Sequence, residues 1–186
     1  MNVILASASP RRKELLGMLY NDFSVAPADI DENIDSDIVY EAAEIIAIKK
    51  AQAITIADSL IIACDTVVIY GGEILGKPEN KNHAELMLAL LSGKVHHVMT
   101  GVCLKYNDKS YSFTEKTAVE FYPLTEADID NYINTSEPFD KAGSYGIQGQ
   151  GAFFVKRIDG DYYNVVGLPL PRLKKEIERF KMIYGL

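Results

Sequence analysis

The apolar positions of this 186-residue chain fall into two patterns, continuous runs bounded by turn residues and stripes with helical spacing. Residues 3–6 form a short continuous run, as a buried strand does. Residues 59–70 form the longest, and Gly71-Gly72 after them predicts a hairpin turn with a return strand over 73–75. Long strands are predicted over 95–106 and 110–122 around Asn107-Asp108-Lys109, shorter ones over 152–158 and 162–166 around Asp159-Gly160-Asp161, and one more over 23–27. Helical spacing takes over between these runs. Ser9 and Pro10 suit the N-cap and first position of one helix. A second is expected over 40–57, with Ala43, Ile46, Ala47 and Ile54 on one face. A third spans 82–91, with Asn82 as cap, Glu85 three residues on and Ser92-Gly93 as its stop. A fourth spans 125–134, with Thr125 and Asp128 as a capping pair, and a closing helix after Pro169 and Pro171 turns Leu173, Ile177 and Phe180 inward. No linker, repeat or low-complexity segment divides the chain, so residues 1–186 read as a single domain.

The chemistry lies where this pattern is broken. Asp65 interrupts the apolar run 59–70. A buried carboxylate is costly unless paired, hydrogen-bonded or bound to metal, so a functional role is favoured over a structural ion pair. Lys50 falls on the apolar face of the second helix, and the general expectation for such a lysine is that it snorkels to the edge rather than pointing into a polar cleft. Arg11, Arg12 and Lys13 occupy a first helical turn, where the macrodipole disfavours cations by roughly 0.3–1 kcal/mol each. Either a bound phosphate chain or neighbouring acids must offset them. Lys77 sits in a turn fixed by Pro78. Asp29, Asp31, Glu32, Asp35 and Asp37 read as a solvated acidic loop that caps the next helix through Ser36 or Asp37, with one or two acids suited to a metal. Gly143, Gly146, Gly149 and Gly151 would let backbone approach a ligand closely, or simply shape a hairpin connection. His96 and His97 have no second ligand cluster and read as structural.

A net charge of −7 argues against a nucleic-acid or anionic-membrane surface, so any polyanion must be small and met by a local basic pocket. Cys64 and Cys103 lie in apolar runs and read as buried, reduced thiols, which fits the cytoplasm. No signal peptide or membrane span is expected.

Six stretches in order, Ser-Ala-Ser-Pro-Arg-Arg-Lys-Glu-Leu-Leu (7–16), Cys-Asp-Thr-Val-Val (64–68), Gly-Lys-Pro (76–78), His-His-Val-Met-Thr-Gly-Val (96–102), Glu-Pro-Phe-Asp-Lys-Ala-Gly-Ser-Tyr-Gly-Ile-Gln-Gly (137–149) and Asn-Val-Val-Gly-Leu-Pro (164–169), resemble the Maf family of nucleoside triphosphate pyrophosphatases. The resemblance implies a two-lobed α/β fold similar to inosine triphosphate pyrophosphatases, with a long mixed central sheet flanked by helices and a cleft between the lobes. It also implies metal-dependent hydrolysis between the α- and β-phosphates, with Asp65 as proton acceptor. Arg11, Thr66 and Gln148 match the subgroup acting on dTTP and UTP. The alternatives are a 7-methyl-GTP or inosine-type substrate, or a non-hydrolysing nucleotide sensor linked to septum formation. On this reading Ser7, Ser9, Arg11 and Arg12 hold the phosphate tail, Lys50 and Lys77 meet the charge of the leaving pyrophosphate, and Thr66 and Gln148 read the base. Glu32 and Asp65 hold Mg²⁺ or Mn²⁺. Asp65 could act as ligand, base or both. The expected partner is the nucleotide alone, in a cytoplasmic protein for which a homodimer is allowed.

Overall fold

The computed structural model describes residues 1–33 and 39–186. Asp35, Asp37 and the cap expected at Ser36 or Asp37 lie outside the described residues. In chain order the elements are β1 (Asn2–Leu5), α1 (Pro10–Gly17), β2 (Ser24–Val25), α2 (Ala42–Ala53), β3 (Ser59–Tyr70), β4 (Glu73–Leu75), α3 (Lys81–Leu91), β5 (Val95–Tyr106), β6 (Lys109–Phe121), α4 (Glu126–Ile133), β7 (Val155–Asp159), α5 (Tyr162–Val166) and α6 (Leu170–Tyr184). The strands form a seven-stranded sheet ordered β2-β1-β3-β5-β6-β7, with β4 added to β3. It is mixed: β1 runs parallel to β2 and β3, while β3 with β4 and β6 with β7 are antiparallel.

The chain divides into two compact units, one of Met1–Asp65, Thr100–Glu115 and Gly167–Leu186, the other of Thr66–Met99 and Lys116–Val166. The core of the first is built largely from small side chains, Ala6, Ala47, Ala51 and Ala63 among Ile4, Ile54, Ile61 and Cys103. They let α2 lie close on the strands. At Gly101 of β5 the approach is so tight that a Cβ would stand 2.3 Å from the backbone of Ala43 and Glu44. The face of α2 that makes this approach also carries Lys50.

The core of the second unit is aromatic. Phe121 meets Tyr145 edge-on at 4.7 Å and Phe154 at 5.9 Å, and Tyr132 meets Phe154 at 4.9 Å. Phe121 is 1% exposed, so truncating it to alanine costs about 3–5 kcal/mol. His96 packs edge-on against Phe121 and shares a 2.8 Å hydrogen bond with the Tyr145 hydroxyl, the structural role expected of it.

Several boundaries differ from the sequence expectation. Residues 162–166 form the helix α5 rather than a strand, because the Asp161 carboxylate accepts the Tyr163 N–H at 2.9 Å and turns the chain. The turn buries Asn164, whose amide donates to the Val98 carbonyl and the Thr117 hydroxyl. β7 begins at Val155, after a 3₁₀ turn over Gln150–Phe154 that replaces the start of the expected strand. The cap of α3 is Asn80, not Asn82, since the Asn80 side chain accepts the His83 N–H at 2.9 Å. α2 ends at Ala53, where Ile54 turns extended and the Lys105 ammonium takes the carbonyls of Ala51 and Ile54 at 3.2 and 2.6 Å.

Candidate active site

The first unit gathers its chemistry where β1 hands over to α1. Pro10 opens the helix, and the Ser9 hydroxyl accepts the Arg12 N–H at 3.5 Å. The buried Ser7 hydroxyl accepts the Ser9 N–H at 3.3 Å and an Arg12 Nη1–H at 3.2 Å. Arg12 reaches further. Its Nη1 donates to the Cys64 carbonyl at 2.9 Å, and its Nε donates to the Gly167 carbonyl at 2.9 Å. Gly167 presents that carbonyl from a backbone with φ of 122°, a conformation side-chain-bearing residues avoid. The start of α1 is thereby tied to the residue immediately before Asp65.

Asp65 is the last residue of the first unit on β3, and its carboxylate is 13% exposed. Lys50 Nζ donates to Asp65 Oδ1 at 2.7 Å and pairs with Glu32 Oε1 at 2.7 Å. The lysine is buried, at 8% exposure, so it points into a polar site and does not snorkel as expected. Its two counter-charges explain why: a buried ammonium between two carboxylates avoids the penalty of an unpaired charge, about 3–5 kcal/mol when one partner of such a pair is removed. Glu32 is the exposed end of the triad, at 56%.

Cys64 is a nucleophile by residue type only. Burial pushes its thiol pKa up, Arg12 opposes this, Asp65 adds to it and Lys50 opposes it again. The thiol stays protonated. Cys103, also free and buried, is pushed up to about 12, chiefly by burial and then by Glu44.

Among the described residues no group of three or more His, Cys, Asp and Glu side chains is placed to hold a metal ion. Lys50 Nζ lies 2.7 Å from one oxygen of each of the Glu32 and Asp65 carboxylates, so two carboxylates from distant segments meet at one point. Mg²⁺ is commonly held by one or two carboxylates, with waters and substrate phosphates completing its shell.

Thr66, Lys77 and Gln148 belong to the second unit. Thr66 follows Asp65 on β3, and Lys77 and Gln148 are exposed. The Gly143 N–H donates to the Gly76 carbonyl at 3.0 Å, so the turn bearing Lys77 is tied to the start of the glycine-rich segment bearing Gln148. Two residues were not singled out from the sequence. Gly167 supplies the carbonyl that anchors Arg12, and Glu137 organises the glycine-rich segment. Both lie inside the motifs quoted above, but their type alone predicts neither role.

A family model described as Maf-like protein matches residues 2–180. Among curated relatives, a protein of Bacillus cereus named dTTP/UTP pyrophosphatase is 48% identical over 185 residues, spanning 96% of this chain and 95% of that protein. One of the same name from Bacillus cytotoxicus is 50% identical over 184 residues, spanning 95% of this chain and 94% of its own. Among solved structures, the Ham1 protein of Staphylococcus aureus superposes with a TM-score of 0.53 at 14% identity, over 95% of this chain and all of that one. That likeness is one of fold, and it agrees with the mixed, helix-flanked α/β sheet that the resemblance implies.

Proposed function

The chain belongs to the Maf family, and on that premise we propose that it is a nucleoside triphosphate pyrophosphatase acting on dTTP and UTP, releasing the nucleoside monophosphate and pyrophosphate. The observation that carries this reading is the 2.9 Å bond from Arg12 to the Cys64 carbonyl, because it sets a cationic helix start beside a carboxylate already compensated by Lys50.

In the proposed reaction a water oxygen attacks the α-phosphorus, the bond from that phosphorus to the bridging oxygen breaks, and its electron pair leaves with pyrophosphate. Asp65 takes the water's proton. Arg11, Arg12, Ser7, Ser9 and the helix N-terminus receive the phosphate tail. Lys50 and Lys77 bring positive charge toward the leaving oxygen, so positioning and charge stabilisation do most of the work, as phosphoryl transfer requires. Glu32 and Asp65 would hold Mg²⁺ or Mn²⁺, which neutralises charge on the phosphate oxygens. Thr66 and Gln148 offer hydrogen bonds to the pyrimidine edge, a form of recognition that rejects the wrong base strongly. The same reading makes the protein cytoplasmic, in keeping with its two free cysteines. It takes a small nucleotide rather than nucleic acid or membrane as partner, and it allows a homodimer, which sedimentation would test.

The deciding experiment is pyrophosphate release from a panel of UTP, dTTP, CTP, 7-methyl-GTP, ITP and the purine triphosphates with Mg²⁺. Turnover of UTP and dTTP with the highest kcat/KM is the expected result. Preference for 7-methyl-GTP or ITP would replace the substrate assignment, and binding without turnover of any of them would end the enzyme reading.

A further inference from the structure

The glycine-rich segment is built around an anion of its own. Glu137 opens a 3₁₀ turn over Glu137–Asp140 and sends its carboxylate back into the loop that follows. Oε2 accepts the Gln150 N–H at 2.9 Å, and Oε1 accepts the Gly151 N–H at 3.2 Å and the Tyr132 hydroxyl at 2.9 Å. The Tyr132 oxygen in turn accepts the Gly146 N–H at 3.1 Å. Three loop amides, at positions 146, 150 and 151, are therefore gathered on one carboxylate and the phenol bonded to it.

The glycines are what this gathering requires. A Cβ on Gly149 would stand 2.2 Å from Glu137 Oε2, and one on Gly151 would stand 2.9 Å from the Tyr132 oxygen. Between the tied positions the chain buries Ile147 and exposes Gln148. Clamped backbone on both sides fixes the point and direction from which the Gln148 side chain leaves the loop, and a hydrogen-bonding group must start from a fixed place to read a base edge.

We infer that Glu137 is the positioning residue for Gln148, and so sets the base selectivity of the enzyme without touching the nucleotide. The inference rests on the proposed role of Gln148 at the pyrimidine edge. Glutamine at position 137 would turn an amide N–H₂ toward backbone N–H groups and lose an acceptor for them, while keeping the side chain's size.

The test is the ratio of kcat/KM for UTP to that for CTP in wild type, Glu137→Gln, Gln148→Ala and the double variant. We expect Glu137→Gln and Gln148→Ala each to lower the ratio by roughly tenfold or more, and the double variant to fall no further than Gln148→Ala alone. A purely structural role would reduce turnover of both nucleotides alike and leave the ratio intact. If Gln148→Ala lowers the ratio and folded Glu137→Gln does not, the positioning role is overturned and the base reading stands. If Gln148→Ala leaves the ratio unchanged, the base reading fails and the inference with it. Should Glu137→Gln fail to fold, Tyr132→Phe decides: it removes one donor to the carboxylate and must lower the same ratio by a smaller factor, and an unchanged ratio overturns the inference.

Discussion

Arg12 in the first unit donates to the carbonyls of Cys64 and Gly167, and Glu137 in the second accepts from the amides of Gln150 and Gly151. Each is a charged side chain satisfied by backbone dipoles of the complementary sense, and each thereby fixes segments that are distant or irregular. The Glu32–Lys50–Asp65 triad solves the same problem differently, with charge against charge at 2.7 Å. Backbone dipoles cannot move or change protonation, so a charge held by them makes a good strut, and Arg12 would meet the proposed phosphate tail without leaving the Gly167 and Cys64 carbonyls. Side-chain charges can exchange partners when a phosphate or cation arrives, so a charge held by them can take part in chemistry.

The sharpest way to break this contrast is Asp65→Asn. It keeps an oxygen for Lys50, which also retains Glu32, and it removes the proposed proton acceptor. We expect kcat/KM for UTP to fall by about 10²–10⁴-fold, with the thermal unfolding midpoint close to wild type. Turnover within about threefold of wild type would show that Asp65 is merely a counter-charge, and would remove the distinction between the triad and the struts.

Arg12→Lys tests the opposite side. Nε and Nη1 of the guanidinium serve Gly167, Cys64 and Ser7 together, and a single ammonium cannot span them. We expect a stability loss of about 2–4 kcal/mol, read from urea midpoints, because hydrogen bonds to a charged donor contribute roughly 1.5–3 kcal/mol each. A loss below about 0.5 kcal/mol would mean that Arg12 is no strut.

The difference between the regions also decides what the sequence could reveal. β3, the β4 return, β5, α6 and the Ser9-Pro10 helix start were legible because each depends on local signals: a continuous apolar run, a Gly-Gly turn, a stripe, a cap. Asp65 and Lys50 stood out because each breaks such a pattern. That Lys50 turns inward was not legible, since its counter-charges come from residues 32 and 65 and only the fold brings them within 2.7 Å. Glu137 was less visible still. It breaks no apolar run, and the glycines that betray it read equally well as a ligand loop until the space beside Gly149 is seen to be filled by its carboxylate. The strand expected over 162–166 failed for a related reason: one side-chain cap, Asp161, overrode a β-like composition.

His96 marks the limit of the contrast, a buried titratable group with neither a backbone dipole nor an opposing charge to satisfy it. It is fully buried among Phe121 and Tyr145, and its Nδ1 has no hydrogen-bond partner among the described residues. The remaining course for such a group is to stay neutral, and burial, with a smaller contribution from His97, lowers its pKa from 6.5 to about 4. Between those values the unfolded chain binds a proton that the folded one refuses. The contribution to stability is therefore complete above pH 6.5 and is lost progressively as the pH falls toward 4. By pH 5 the loss should reach about 2 kcal/mol relative to pH 8. His96→Gln keeps a hydrogen-bonding group for the Tyr145 hydroxyl but cannot titrate. Carboxylates elsewhere protonate alike in both proteins, so the informative quantity is the difference between their urea-unfolding free energies at pH 8, 6 and 5. Wild type should lose its advantage over the variant as the pH falls, by about 2 kcal/mol across that range. Parallel curves would show that His96 accepts its proton in place, and that a buried charge here finds a partner the folded structure does not otherwise present.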